Sequence, residues 1–301
     1  MGAVGANGVS IEPWGPERAA DLADLVTAAA PAERLTADEL LACCWDDPGL
    51  VLGTAGDPDA AVAAVVRRAG ELAVGFVRLL AVHPGRRRAG LGRRLLAEAE
   101  DWLFAEGVTE VQLGGSAPFY LWPGVDVQAL PLLCLAEAAG YDVTGAELDL
   151  SLPTTFRAAV PPGVVVRRVL DEADVVAVRS LVEGVWPWWW PEAARGIDGA
   201  GCFAAFGAEA HGDDARGASG DVRAIGFACH SVNRAAWLGP MGVDPTARGR
   251  GIGHALLGAV AQDLMVAGWR DLEVAWIGPV RFYAAAGASV SRVFRTYRRR
   301  R

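Results

Sequence analysis

One glycine-bearing pattern occurs twice in this chain. Residues 80–96 read LAVHPGRRRAGLGRRLL and residues 241–257 read MGVDPTARGRGIGHALL. A shift of 161 positions (241 minus 80) aligns Val82 with Val243, Pro84 with Pro245 and Arg87 with Arg248. It also aligns Gly90 with Gly251, Gly92 with Gly253, and Leu95–Leu96 with Leu256–Leu257. In each copy an apolar run ends at proline, which cannot donate to a strand ladder. The two glycines let the backbone turn tightly and approach a ligand. An amphipathic run follows, and a helix there presents unpaired N–H groups and the positive end of its dipole. That combination is a cradle for an anion such as a diphosphate, with Arg87 or Arg248 adding charge. It is not a P-loop, because no Gly-Lys-Ser/Thr follows, and the third glycine of a dinucleotide fingerprint is missing.

These residues need strands and helices to position them, and both halves supply the same order. In the first half, Val9 to Glu12 reads as a strand and Ala19 to Ala30 as a helix. Thr36 caps a helix running to Trp45. Strands are expected at 61–67 and 72–82, and a helix from Gly90 to Glu106 with Leu91, Leu95, Leu96, Ala99, Trp102 and Leu103 on one stripe. A strand at 110–113, a helix ending at Gly140 and a hairpin within 141–152 complete it. The second half repeats this with strands at 164–168, 202–206, 224–232, 235–243, 272–276 and 290–297. Its helices start at Asp171, Gly251 and Val280. The class is therefore α/β with a mixed α+β sheet, built as two tandem domains. Pro153, Pro161, Pro162 and Gly163 form a breaker-rich linker. The expected domains are residues 1–155 and 160–301.

Composition narrows the function. The chain has 301 residues, 52% of them hydrophobic, and 28 basic against 36 acidic residues for a net charge of −8. A general nucleic-acid or acidic-membrane binder needs a basic footprint, so neither partner is expected. No apolar run is long enough for a transmembrane helix, and Met1 to Gly8 reads as a mobile tail rather than a secretion signal. All 28 basic residues are arginine, so anion binding falls to arginine and backbone amides. Cys43, Cys44, Cys134, Cys202 and Cys229 lack metal-type spacing and read as reduced thiols of a cytoplasmic protein. His83, His211, His230 and His254 are scattered, and no metal site is expected. Residues 207–220 read as a loose strand-to-strand connection.

Taken whole, Val-x-Pro-x-x-Arg-x-x-Gly-x-Gly resembles the acetyl-CoA-binding motif of the GCN5-related N-acetyltransferase (GNAT) family. The resemblance implies a fold of two GNAT-like domains and acetyl-CoA, or another acyl-CoA, as co-substrate. It implies cofactor contacts from Met241, Gly242, Val243, Arg248, Gly249, Arg250, Gly251, Ile252, Gly253 and His254. The same contacts in the first copy fall on Leu80, Ala81, Val82, Arg87, Arg88, Ala89, Gly90, Leu91, Gly92 and Arg93. Residues 281–288, RFYAAAGA, resemble the family's Phe-Tyr-x-x-x-Gly segment, which makes Tyr283 the catalytic acid toward the CoA thiolate. The implied reaction is direct attack of an amine on the thioester in a ternary complex. A backbone N–H near Val243 would polarise the carbonyl.

The two copies also depart from the family. Counting back from Gly140, the first copy has Leu135 and Ala136 where the second has Phe282 and Tyr283, so it offers no phenol. It also carries an insertion, SAPFYLWPGVD. The second copy is the expected catalyst, and the first binds CoA without turnover or serves as scaffold. Neither motif strand carries a carboxylate base, which leaves a water chain, a remote group such as Glu273 or Glu183, or an acceptor already neutral. Trp276 stands where the family often has Asn. Trp186, Trp188 and Trp189 would wall an acceptor site for an apolar, aromatic or cationic amine, small molecule or peptide; packing between domains is the other reading of these indoles. A non-catalytic acyl-CoA sensor or partner-binding scaffold is the rival function.

Overall fold

The structure, a computed structural model, describes residues 9–199, 201–207 and 223–301. The expected tail at 1–8 and all but Gly207 of the loose region at 207–220 lie outside the described residues, as does His211. The chain forms two compact units, one of Met1–Glu147 with Val293–Arg301 and one of Leu148–Arg292. The sequence places one boundary in the Pro153–Gly163 linker. Compactness instead divides the chain within two long strands, because each terminal strand segment takes its hydrogen bonds from a different unit than its sequence neighbours do.

The first unit begins with β1 (Ile11–Pro13), α1 (Ala19–Ala29), α2 (Ala37–Cys44) and β2 (Leu50–Thr54). Then come β3 (Ala60–Ala69), β4 (Leu72–Val82), α3 (Leu91–Ala105), β5 (Glu110–Leu113), β6 (Val125–Asp126) and α4 (Leu130–Ala138). Strands β1 to β4 pair antiparallel in sequence order, and β4 pairs parallel with β5. The segment Tyr297–Arg300 closes this sheet, antiparallel to β5. Thr36 and Glu39 form a reciprocal capping box that starts α2, satisfying two orphan amides. One face of the sheet packs on α3 through Leu95, Leu96, Ala99 and Leu103. The other packs on α1 and α2 through Leu22, Leu25, Leu40 and Cys43.

Strand β7 (Asp142–Pro153) leads out of that unit. The second unit holds β8 (Val164–Arg168), α5 (Glu172–Val185), α6 (Trp190–Asp198), β9 (Cys202–Gly207), β10 (Ala224–His230) and β11 (Trp237–Val243). It continues with α7 (Ile252–Val266), β12 (Asp271–Val274) and α8 (Val280–Ala285), and β13 (Ser289–Arg300) leads back out. Strands β8 to β11 are antiparallel, β11 and β12 are parallel, and Leu150–Pro153 of β7 closes the sheet antiparallel to β12. Leu256, Leu257, Val260 and Leu264 of α7 cover one face. Val178, Leu181 and Val182 of α5 and Ala193 of α6 cover the other. Helix α5 ends at Val185, ahead of Pro187, and Trp190–Asp198 forms a new helix because Pro191 sits in its first turn, where its missing N–H costs nothing.

Candidate functional site

Each unit opens its sheet at the same place. In the first, β4 and β5 pair only through Gly75–Val77 and Val111–Leu113. In the second, β11 and β12 pair only at Trp237–Leu238 and Glu273–Val274. Beyond Val77 and Leu238, which are 161 positions apart, the parallel strands no longer pair. Both splits begin at a bulge. The β3–β4 register shifts at Arg78, and the β10–β11 register shifts across Gly239 and Pro240. A bulge bends its strand and re-aims the local side chain, which is how pairing ends here.

Strand parity gives the polarity of the opened edge. His83 N–H donates to Asp59 O at 2.8 Å and Asp244 N–H to Ile225 O at 2.9 Å, each toward the paired neighbour. Alternation then turns the amides of Leu80 and Val82, and of Met241 and Val243, toward the split. They form a row of main-chain donors able to pair with an extended amide-bearing ligand.

The opened strand runs into the glycine turn. Gly90 and Gly251 cap α3 and α7 with φ of 85° and 84°, a left-handed conformation that glycine adopts without strain. Two residues earlier, Arg88 and Gly249 also have positive φ, 64° and 77°. Alternating handedness curls successive N–H groups into a concave nest next to the helix N-terminus. The turns stay open: a Cβ at Gly90 would meet nothing within 4 Å, and one at Gly251 only Pro161 Cγ at 3.6 Å. A cavity of about 220 Å³ lined by Val9, Gly85, Arg86, Arg87, Ala89 and Leu91 flanks the first turn.

The motif arginines brace the turn. Arg87 Nε donates to Val82 O and Arg248 Nε to Val243 O, both at 3.2 Å, and Arg87 also reaches Ala29 O at 2.7 Å. Arg88, Arg93 and Arg250 are exposed beside the turns, and Ala89 is exposed with Arg88. Leu91 and Ile252 are buried and anchor their helices, while Ala81 and Gly242 face the sheet interior.

The helix after the split bears on the second motif glycine in both units. A Cβ on Gly92 would lie 3.4 Å from Leu135, and one on Gly253 3.0 Å from Phe282. Leu135 and Phe282 are therefore counterparts, as counting back from the following glycine indicates, and Tyr283 corresponds to Ala136. Tyr283 is buried within the α7-side core beside Val274 and Leu238. Its hydroxyl makes no hydrogen bond among the described residues, and burial pushes its pKa up to about 12. The phenol is therefore protonated at neutral pH, the state required of a proton donor. Ala136 is fully buried and offers no hydroxyl.

On the opposite face the units diverge. In the first, Arg78 projects from the bulge into a closed network. Its guanidinium pairs with Asp47, bonds the Cys43 carbonyl and donates to Ser116 Oγ at 3.1 Å. Arg67 joins through Asp47 and Ser116 O. The insertion packs on α1 and α2 of its own unit: Leu121 is fully buried, and Trp122 Nε1 donates to Glu33 Oε1 at 2.9 Å. In the second unit the position equivalent to Arg78 is Gly239, where a Cβ would meet nothing within 4 Å.

Trp186 packs on the opened strand, so close that a Cβ at Gly242 would fall 2.6 Å from the end of its ring. Trp189 packs on Trp186 at 5.3 Å between ring centroids, and both contact Phe227. Trp188 is 64% exposed and stands apart from them. Glu183 pairs with Arg179 on the exposed side of α5, away from the split. Sequence reasoning missed Asp149, a fully buried residue of β7 whose Oδ1 accepts the Trp276 amide at 2.8 Å. Nothing in its Leu-Asp-Leu setting separates it from a solvent-facing strand carboxylate.

In each unit a parallel strand pair parts at a bulge and its unpaired strand amides lead to an anion nest, an arrangement suited to an extended ligand that ends in an anionic group. The sequence model of the acetyltransferase (GNAT) family matches residues 19–120 and 176–284, and the chain belongs to that family. No curated protein matches it. Solved structures share its fold. One is a GCN5-related glucosamine N-acetyltransferase region of a fungal multi-domain GH3 β-N-acetylglucosaminidase, at TM-score 0.75 and 17% identity. That match covers 96% of this chain but 38% of the fungal one. A GCN5-related N-acetyltransferase from Sphaerobacter thermophilus aligns at TM-score 0.70 and 20% identity over 99% of this chain and 97% of its own. A tandem GNAT protein from the clavulanic acid biosynthesis pathway aligns at 0.71 and 18%, over 97% and 98%.

Proposed function

We propose that the chain is an N-acyltransferase that moves an acetyl or other small acyl group from acyl-CoA to an amine. The family supports acyl transfer in general; the residue roles are our reading of the site. The second unit is the catalyst. The observation that carries this is the contrast at the bulge: the first unit fills the acceptor face with buried, ion-paired Arg78, and the second leaves Gly239 facing open space.

In the second unit the nest at Gly249–Gly253 holds the diphosphate, and the Met241 and Val243 amides align the pantetheine arm and polarise the thioester carbonyl. The amine enters from the face opposite α7, beside Trp186, and attacks the thioester in a ternary complex. Tyr283 protonates the departing thiolate. The acceptor is a small-molecule or peptide amine. A cytoplasmic location is part of this reading, and free thiols are consistent with a reducing compartment. The first unit keeps the open turn and row of amides but no phenol, so it binds acyl-CoA as a sensor without turnover. Calorimetry with coenzyme A, combined with thiol release from acetyl-CoA across an amine panel, tests both parts. Absence of heat from CoA would overturn the cofactor assignment, and turnover surviving loss of the second nest would overturn the assignment of the catalyst.

A further inference from the structure

Two buried carboxyl oxygens in the second unit lack hydrogen bonds: Asp149 Oδ2 and Glu273 Oε1. They belong to neighbouring groups: β7 and β12 pair with Glu273 opposite Ser151, two residues from Asp149 on the same face, and the Glu273 carboxyl acts on Asp149 by charge and by hydrogen bonding. Two ionised carboxylates cannot bond one another, and enclosing an oxygen of each without a donor is unfavourable. A single proton between them supplies the missing donor. Three further groups act on Asp149: the Trp276 N–H from the end of β12, the Arg292 guanidinium from β13 and the apolar surroundings themselves. The first two favour its ionised form, and burial, the largest influence, opposes it.

The pair sits where the transfer chemistry needs a proton acceptor. Glu273 is one residue before Val274, the last residue of β12 that pairs with β11 before the split. Leu272 and Val274 pack toward α7, so strand alternation turns Glu273 to the opposite face. Leu150 and Leu152 likewise put Asp149 on that face. With the cofactor held on the α7 side, an amine reaches the thioester only from the face these carboxyls occupy. No carboxylate lies on β11 itself, whose sequence is WLGPMGV.

Resting on the transfer reaction above, we propose that Glu273 takes the proton the acceptor amine must lose, and that Asp149 is its positioning residue, holding the shared proton behind it. The ammonium N–H bond breaks and its proton passes to the Glu273–Asp149 pair. The freed lone pair forms the N–C bond as the thioester C–S bond breaks. The second amine proton passes through Tyr283 to sulfur. The products are the amide, the CoA thiol and a second proton on the carboxyl pair beside the shared one, which solvent then removes. Asp149 also steadies Trp276, a non-glycine residue at φ 51°, so a purely structural role is the alternative to exclude.

The test uses the full chain with acetyl-CoA and three probes, aniline, O-benzylhydroxylamine and an alanyl dipeptide, following thiol release from pH 6 to 10. The first two amines are neutral throughout and have no ammonium proton to give up, so they serve as controls, and the dipeptide is the substrate that needs the acceptor. Coenzyme A binding is measured in parallel. Asp149→Asn is close to isosteric, can still accept the Trp276 amide and can donate to Glu273. With the dipeptide it is expected to lower kcat at least tenfold at unchanged KM for acetyl-CoA and to abolish the wild-type rate limb near pH 8, while turnover of the two neutral amines changes less than about twofold. Glu273→Gln should lose more, and Asp149→Glu should restore part of the limb. A variant Asp149→Asn with wild-type kcat and pH profile overturns the inference while leaving the transfer reaction standing. Wild-type protein that binds coenzyme A but acylates none of the probes overturns the transfer reading, and this inference with it.

Discussion

Phe282 lies flat on His254, ring centroids 4.4 Å apart and planes 14° apart, and the same ring caps Gly253. His254 Nε2 is also 3.3 Å from the Phe282 carbonyl. The first turn of α7 is thereby fixed against α8, the helix that carries Tyr283. The nest that would hold the diphosphate and the phenol that would protonate the thiolate are thus joined through one aromatic contact.

Gly253→Ala tests that coupling. The new methyl would stand 3.0 and 3.2 Å from Phe282 ring atoms, so the ring must shift and α8 with it. Binding of coenzyme A to the second unit should weaken about tenfold, near 1.4 kcal/mol. Gly92→Ala places its methyl 3.4 Å from flexible Leu135 and from Val82, a tolerable contact, and should leave binding to the first unit within about twofold. Titration calorimetry on the two variants separates these outcomes, and equal losses would refute the asymmetry.

Tyr283→Phe removes a hydroxyl with no hydrogen-bond partner among the described residues, so stability should change little. If the phenol protonates sulfur, turnover should fall about 100-fold with coenzyme A affinity unchanged. Burial raises its pKa from 10.0 to about 12. A raised phenol stabilises the fold fully below pH 10 and loses that contribution as pH rises through about 12. Tyrosinate absorbance in wild type minus Tyr283→Phe should therefore emerge near pH 12, above the ordinary phenol range.

Arg78→Ala probes the sealed face of the first unit. Arg78 is 2% exposed, and its partner Asp47 is half-buried. Breaking a buried pair leaves uncompensated charge, so a loss of about 3–5 kcal/mol is expected, reduced to the extent that Arg67 retains Asp47. Urea unfolding should show it. If the second unit is the catalyst as proposed, amine acylation should persist; a loss of turnover with the fold intact would place chemistry in the first unit.

The glycine turns and the helices after them were legible in sequence because their parts are local. Gly90 and Gly251 must be glycine for their positive φ, and the amphipathic stripes of α3 and α7 follow a 3.6 period. The acceptor side was not, because it is made of long-range contacts. Arg78 reads as an exposed strand arginine until Asp47 and Ser116 are brought to it. Glu183 and Glu273 look alike in sequence, yet one pairs with Arg179 in solvent and the other has a buried, unpartnered oxygen. Asp149 falls in what reads as a terminal hairpin of the first half. Only tertiary pairing of β7 with β12 places it beside Trp276.

The carboxyl pair makes a prediction about stability that needs no substrate. Burial first, and Glu273 next among the raising influences, lift the Asp149 pKa from 3.8 to about 8, against the pull of the Trp276 amide and Arg292. Between those values the folded chain keeps a proton that the unfolded chain has released. Stability from this group is therefore fully present below about pH 4 and is lost as pH rises through about 8. Asp149→Asn is neutral at every pH and removes that slope. Urea midpoints at pH 5 and pH 8.5 should differ by roughly 1 kcal/mol or more in excess for wild type over the variant, each pKa unit being worth about 1.4 kcal/mol. If the two proteins lose stability in parallel across that range, no proton is shared between Asp149 and Glu273, and the proton acceptor has to be found elsewhere on the open face.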